Sequence, residues 1–341
     1  MTNNFIPNDP LLANQWHLIN FGQVGEDNIG NDVNVLPAWR SQITGKDVVI
    51  GIVDDGLQYT HSDLQPNYRS DLSFDFTDND NDPSPGAIDV EELLSPEIAE
   101  QIPPELQHYF AEIESYLNPH GTSVAGVAAA SGDNGEGVSG VAFDAEIAGI
   151  RLGTEDLFSL FETNKEKLDE KIAKALSHEN QEIDIYNNSW GSTVENGQLL
   201  DAPGALTQEA LKNGVTNGRE GLGNIYVWAA GNGLQYNDNV NYDGHANSRY
   251  TIAVSAIDAT GKQADYSEPG APILVTTYSG ASTLTLDGEA GITTTDLQGN
   301  DGSAVGFSII DTLLGGDSPD KAGNYPSSVS FRDLNYNKKN L

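Results

Sequence analysis

Asp47-Val-Val-Ile-Gly-Ile-Val53 runs without a break into Asp54-Asp55-Gly56. The nearly continuous apolar, β-branched run is what a strand buried on both faces requires, and Asp-Asp-Gly is the turn chemistry at which such a strand stops. Four further runs read the same way: Ile147-Ala-Gly-Ile-Arg-Leu152, Ile183-Asp-Ile-Tyr186, Asn224-Ile-Tyr-Val-Trp-Ala-Ala230 and Tyr250-Thr-Ile-Ala-Val-Ser-Ala-Ile257. Helical patterns lie between them at about 163–177 and 203–217, and small residues from Gly121 to Ala130 predict a closely packed helix. The alternation predicts an α/β fold with a mainly parallel sheet flanked by helices. In such sheets chemistry gathers beyond the carboxyl ends of strands, which points to Asp54, to Ser189–Gly191 and to Gly231-Asn232.

The charge balance narrows the ligands. Lys and Arg number 16 against 51 Asp and Glu, a net charge of −35 over 341 residues. So acidic a surface argues against nucleic acid and anionic membranes as partners and favours cationic ligands. The absence of cysteine excludes disulfides, thiolate zinc sites and a cysteine nucleophile. Hydrophobic residues at 38% suffice for a folded core. No apolar run approaches the roughly 20 residues of a membrane span. The start, Met1-Thr-Asn-Asn-Phe5, has no basic segment followed by an apolar one, so no secretory signal is recognised.

Two stretches depart from the alternating pattern. Residues 71–116 are acidic, and no Lys or Arg occurs between Arg69 and Arg151. Within them, Val90 to Leu117 predicts an amphipathic helix interrupted at Pro96 and Pro103-Pro104, a surface insertion at about 86–118. Residues 299–341 are rich in Gly, Asp, Ser and Asn and offer no convincing core element. The main domain is therefore expected over residues 1–298.

Three segments carry chemistry. Asp54 ends a buried strand, His120-Gly-Thr-Ser-Val-Ala-Gly126 puts a histidine at the start of a small-residue helix, and Trp228-Ala-Ala-Gly-Asn-Gly233 ends a strand with a glycine-flanked Asn. Singly each has a bland reading as a turn, a structural imidazole or a loop amide. Together and in this order they resemble the subtilisin-like serine protease family, whose acid, base and nucleophile follow in the order Asp, His, Ser. Asp54-Asp55-Gly56, Asn188-Ser-Trp-Gly191 and Trp228–Gly233 look closest to its kexin and furin branch, and the match extends from about Asp9 to Thr295.

That resemblance implies a three-layer fold and a peptide-hydrolysing site. Asp54 would orient His120, His120 would act as general base, and Asn232 would donate to the oxyanion. Backbone at Ser189, Trp190 and Gly191 would pair with an extended peptide. Asp55, Asp201 and Asp243 match carboxylates that select Lys or Arg side chains, whereas Leu117 and His245 stand where the branch more often has an acid and a Tyr. Structural Ca²⁺ is implied at two sites. One uses Asp9, Asp63 and Asn134 with backbone oxygens of residues 131–136; the other uses Asp238 and Glu268 with Glu195.

The family's nucleophile sits in Gly-Thr-Ser-x-x-x-Pro. Here the only Gly-Thr-Ser is Gly121-Thr122-Ser123, inside the histidine motif, and Gly302-Ser303-Ala304 lacks both the Thr and the Pro. Ile292-Thr-Thr-Thr-Asp296 looks like the family's approach to the nucleophile. The expectation is a serine endopeptidase domain interrupted before its serine, inactive alone, with an extracellular role suggested by analogy. Two other readings stay open: a non-catalytic calcium- and peptide-binding module, and an acidic surface protein suited to high salt.

Overall fold

The computed structural model describes residues 5–89, 115–117, 120–153, 164–191, 200–280 and 291–298. A seven-stranded parallel sheet organises them, built from β1 (Val49–Asp54), β2 (Phe74–Asp75), β5 (Glu146–Arg151), β6 (Ile185–Asn188), β7 (Ile225–Ala229), β8 (Thr251–Ile257) and β9 (Ile273–Tyr278). A separate antiparallel pair joins β3 (Ala87–Asp89) to β4 (Ser115–Leu117). The described α-helices are α1 (Leu36–Arg40), α2 (His120–Ala129), α3 (Lys165–Ala175) and α4 (Ala205–Gly221).

Strand order in the large sheet is β2-β5-β1-β6-β7-β8-β9. Because the strands are parallel, the carboxyl ends of β1, β6 and β7 emerge side by side on one edge. That places the end of the Asp54 strand next to the starts of the Ser189 and Asn232 loops.

Both faces of β1 are buried, as its apolar run requires. Val49 and Val53 pack with Tyr186, Tyr226 and Trp228 beneath Leu168 and Ile172 of α3 and Leu211 of α4. Ile50 and Ile52 pack on the other face against Ala125 and Ala129 of α2. Helix α3 starts at an Asn164 cap whose side chain accepts from the Lys167 N–H at 3.0 Å. The first turn of α4 is capped from outside, since the Asp169 carboxylate accepts the N–H groups of Leu206 and Thr207, each at 2.9 Å. A side chain at Gly204 would collide with that carboxylate, its Cβ falling 2.0 Å from Asp169 Cγ. Regular helical backbone in α4 stops before Gly218, in agreement with the predicted end at 217.

The five expected strands and three expected helices all form, with ends shifted by a few residues. The acidic insertion corrects one expectation. Residues 115–117, read as the end of an amphipathic helix, are instead a strand pairing Ala87 with Leu117 and Asp89 with Ser115. Local helical periodicity loses there to a long-range ladder that closes the base of the insertion. The rest of that predicted helix lies outside the described residues, as do residues 299–341.

Candidate active site

Asp54 is the last residue of β1 and is buried. His120 opens α2 and is half-buried. Its Nδ1 lies 2.6 Å from Asp54 Oδ1, the contact of an imidazole N–H donating to a carboxylate. The Asp55 N–H donates to the same Oδ1 at 2.9 Å, and the Gly121 N–H donates to Asp55 Oδ1 at 2.8 Å. Helix and turn are thus bonded at two consecutive residues on each side.

Close approach makes Gly121 obligatory. A Cβ there would lie 2.1 Å from the Gly56 carbonyl oxygen and 2.9 Å from Asp54 Cβ. Gly56 itself has φ +146 and leaves no room for a side chain beside Pro85, 2.4 Å away. Burial, reinforced by the neighbouring Asp54 charge, holds the Asp55 carboxyl well above the usual carboxylate range. Ligand atoms of Asp54, Asp55 and His120 all lie within 4.8 Å of one another. Two carboxylates and an imidazole so arranged could hold a cation, but an Nδ1 already bonded to Asp54 is the geometry of an oriented base.

Asn232 follows β7 on a turn in which Gly231 adopts φ +99. Cβ atoms at Gly231 and Gly233 would fall 2.3 and 2.9 Å from Glu268 Oε1, so only glycine fits on either side of Asn232. The buried Glu268 accepts the Gly233 N–H at 3.0 Å, and Asp238 also borders Gly233, whose Cβ would stand 2.7 Å from Asp238 Cβ. Asp238 and Glu268 are therefore brought together beneath the Asn232 turn. Glu195, assigned with them, lies outside the described residues.

The other expected cation site also assembles. Asp9 and Asp63 are both buried beside the turn at 131–138. Asp9 accepts the N–H groups of Asp133 (2.9 Å) and Asn134 (3.1 Å), while Asp63 accepts the Val138 N–H at 2.8 Å. Burial pushes the Asp63 carboxyl up to about 6, only partly opposed by its hydrogen bonds to Val138 and Asn134. Two buried carboxylates short of positive charge are the hard oxygen donors that Ca²⁺ takes. Asn134 is the exception. Its Nδ2 donates to Asp63 at 3.1 Å and its Oδ1 accepts from the Glu136 N–H, so ligation by the amide oxygen requires a rotation.

The substrate-side candidates cluster beyond β6. Trp190 donates from Nε1 to the Val53 carbonyl at 3.1 Å and meets Trp228 edge-on, ring centres 4.6 Å apart. Ser189 accepts from Asn187 at 2.9 Å. Gly191 is exposed, and a Cβ there would stand 3.2 Å from Asp243 Oδ2. Asp201 pairs with Asp243 through an isolated parallel bridge. Asp55 stays at the Asp54 turn, on the neighbouring strand end.

Sequence reasoning overlooked Arg151. It ends β5 in register with Asp54, is buried, and donates from Nε to the Asp55 carbonyl at 3.2 Å. A lone cation at the end of an apolar strand, after no Lys or Arg from 70 to 150, was the available signal. The 291–298 stretch lies against α2: Ser123 Oγ donates to the Thr295 carbonyl at 2.8 Å, and Thr295 Oγ1 donates to the Thr122 carbonyl at 2.7 Å. The serine of the sole Gly-Thr-Ser is therefore buried and bonded inside the packing of the histidine helix.

A model described as "Subtilase family" matches residues 45–300. The chain belongs to the subtilase family. This subtilase is 40% identical over 294 residues to neuroendocrine convertase 2 of Rattus norvegicus, covering 86% of the present chain and 40% of the relative. It is 38% identical over 294 residues to neuroendocrine convertase 2 of Drosophila melanogaster, covering 86% and 39%. A PC3-like endoprotease variant B of Hydra vulgaris is 37% identical over 277 residues, covering 81% and 34%. The subtilase chain thus spans about two fifths of the length of the curated relatives it matches. In fold it is similar to the crystal structure of the serine protease of Aeromonas sobria, with TM-score 0.68, 24% identity, and coverage of 96% of this chain and 52% of that one. The resemblance read from the motifs is borne out. Among the described residues no helix is long and apolar enough to cross a membrane.

Proposed function

We propose that this subtilase chain is the acid, base and oxyanion part of a serine endopeptidase that hydrolyses peptide bonds after basic residues. The 2.6 Å contact between His120 Nδ1 and Asp54 Oδ1 carries the reading. With Nδ1 so engaged, Nε2 is the nitrogen that would take a proton from an attacking serine hydroxyl and return it to the leaving amine. Asp54 holds ring and tautomer, and Asn232 supplies the amide donor where negative charge develops on the carbonyl oxygen. Asp55, Asp201 and Asp243 contribute negative charge for Lys or Arg side chains, and peptides or proteins bearing them are the partners. Similarity to convertases supports this preference.

Ca²⁺ held by Asp9 and Asp63, and by Asp238 and Glu268, would supply structural charge neutralisation in a fold without disulfides. The acidity and these cation sites favour an extracellular setting; intact protein in cell extract and none in culture medium would contradict it.

The nucleophile is the missing part. No Gly-Thr-Ser-x-x-x-Pro occurs in the 341 residues, and Ser123 is occupied by Thr295. The chain by itself is therefore inactive on peptides and binds them without cleaving. The test combines a serine-directed fluorophosphonate with an internally quenched Arg-containing peptide, for this chain and for the product of its coding sequence read through and beyond Leu341. Labelling and His120-dependent cleavage by a longer product, with neither by this chain, is the expected result. Peptide binding with no labelling of any product favours the second reading, a calcium- and peptide-binding module, for which the buried Ser123 is the specific observation.

A further inference from the structure

His245 occupies an unusual setting in the candidate substrate region. It is buried, stacked on Trp228 with ring centres 5.1 Å apart at 21°, and met edge-on by Trp190 at 5.7 Å. Among the described residues neither imidazole nitrogen has a hydrogen-bond partner, and Nδ1 stands 3.7 Å from Asp243 Oδ1. A buried imidazole with both nitrogens unpaired is costly unless a second state satisfies it.

Asp243 is placed to provide that state. Its Oδ1 faces inward, accepting the His245 N–H at 2.8 Å, while its Oδ2 faces Gly191 of the substrate-side stretch. One carboxylate therefore stands between a buried imidazole and the place where a substrate cation is read to bind.

We propose that His245 is a proton-controlled regulator of basic-residue binding, drawing the Asp243 charge inward when protonated and releasing it to substrate when neutral. The inference rests on reading Asp243 as a substrate-binding carboxylate. A shift of under about 1 Å converts the 3.7 Å separation into a charge-assisted hydrogen bond. Trp228, within β7, stacks its indole face on the imidazole, and such faces attract cations, while Trp190, just beyond β6, meets it edge-on. Thr251 of β8 is neutral and donates to the His245 carbonyl at 2.8 Å. Among the described residues, Asp243 on the same loop and Asp201, bridged to it, bring acidic side chains to this region. Substrate affinity would then fall as the compartment acidifies.

Two readouts on the full chain test this. Imidazolium quenches a stacked indole, so tryptophan fluorescence should fall on acidification from pH 8 to pH 5.5 and the step should vanish in His245→Phe. His17, the other imidazole beside an indole, does not interfere, because burial lowers it to about 4. Benzamidine, an arginine-like cation, is the binding probe. Its affinity should drop at least about fivefold from pH 8 to pH 5.5 in the natural chain and by less than about twofold in His245→Phe. A pH dependence unchanged in His245→Phe overturns the proposal, as does a natural chain whose affinity is flat. Should His245→Phe fail to fold, His245→Tyr serves, and the fluorescence step of the unmutated chain still decides whether His245 takes a proton. Asp243→Asn separates the two levels: benzamidine binding unaffected by it at pH 8 would refute the role of Asp243 itself, whatever the fluorescence shows.

Discussion

Arg151 reaches from the end of β5 to the Asp55 carbonyl, 3.2 Å from its Nε, while its Nη1 binds Asp75 at 2.6 Å and Asp78 at 2.8 Å. One guanidinium thereby ties the turn after Asp54 to the acidic loop that follows β2. Arg151 and Asp75 are both almost fully buried. Removing one partner of a buried pair strands the other, so Arg151→Met should lower unfolding free energy by about 3–5 kcal/mol in urea titrations. Arg151→Lys should recover only part of it, because an ammonium cannot span donors aimed in two directions.

Asp55 makes a signed prediction about pH. Its carboxyl is raised by burial and by Asp54, so the folded chain holds this proton more tightly than the unfolded chain does. Its contribution to stability is full below the ordinary carboxylate range and is lost as pH rises through the folded value. Asp55→Asn keeps an acceptor for the Gly121 N–H without the charge. The variant should be more stable than the natural chain at pH 8 and not at pH 4, while binding basic peptides more weakly. Equal pH dependence of the two in urea titrations would contradict this.

Calcium should act most strongly where Asp63 is ionised. With that carboxyl pushed up to about 6, the proton competes with the cation below this value, and above it the buried charge penalises folding until a cation arrives. Scanning calorimetry should show a larger Ca²⁺-induced rise in Tm at pH 7.5 than at pH 5, diminished in Asp63→Asn. An equal rise at both pH values would argue against Asp63 as a ligand.

The sheet carries a second liability. On the face that α2 covers at β1, the register carries Ile225, Val227, Ile252, Val254 and Val275 outward in succession, and all are partly or fully exposed. Parallel strands are normally covered on both faces. The chain should therefore be marginally stable, melt at a Ca²⁺-dependent temperature and bind an apolar dye such as anilinonaphthalene sulfonate in its native state. Val275→Thr should weaken the dye signal without unfolding the chain, since Val275 is already 49% exposed. A cooperative, Ca²⁺-independent melt with no dye binding would contradict the prediction.

Strands that are apolar on both faces were legible because burial writes itself into local sequence: β1, β5, β6, β7 and β8 all stand where their runs predicted. Others were not singled out. Strand β2 has two residues, held by pairing to β5, and needed no apolar run, whereas β9 opens on the apolar Ile273-Leu-Val275 yet is largely exposed. Strand β4 overrode a helical period because its partner β3 lies on the far side of the insertion.

The same division holds at the site. The sequence by itself determined the family and pointed to Asp54, His120 and Asn232 as candidates, because their neighbours are glycines and small residues that only close backbone approach demands. Tertiary structure alone decided that β1, β6 and β7 are adjacent, that Nδ1 rather than Nε2 of His120 meets Asp54, that Arg151 braces Asp55, and that His245 lies between two indoles and a carboxylate. These contacts join residues brought together by chain crossovers, and their energies depend on distance and burial, which no local pattern encodes.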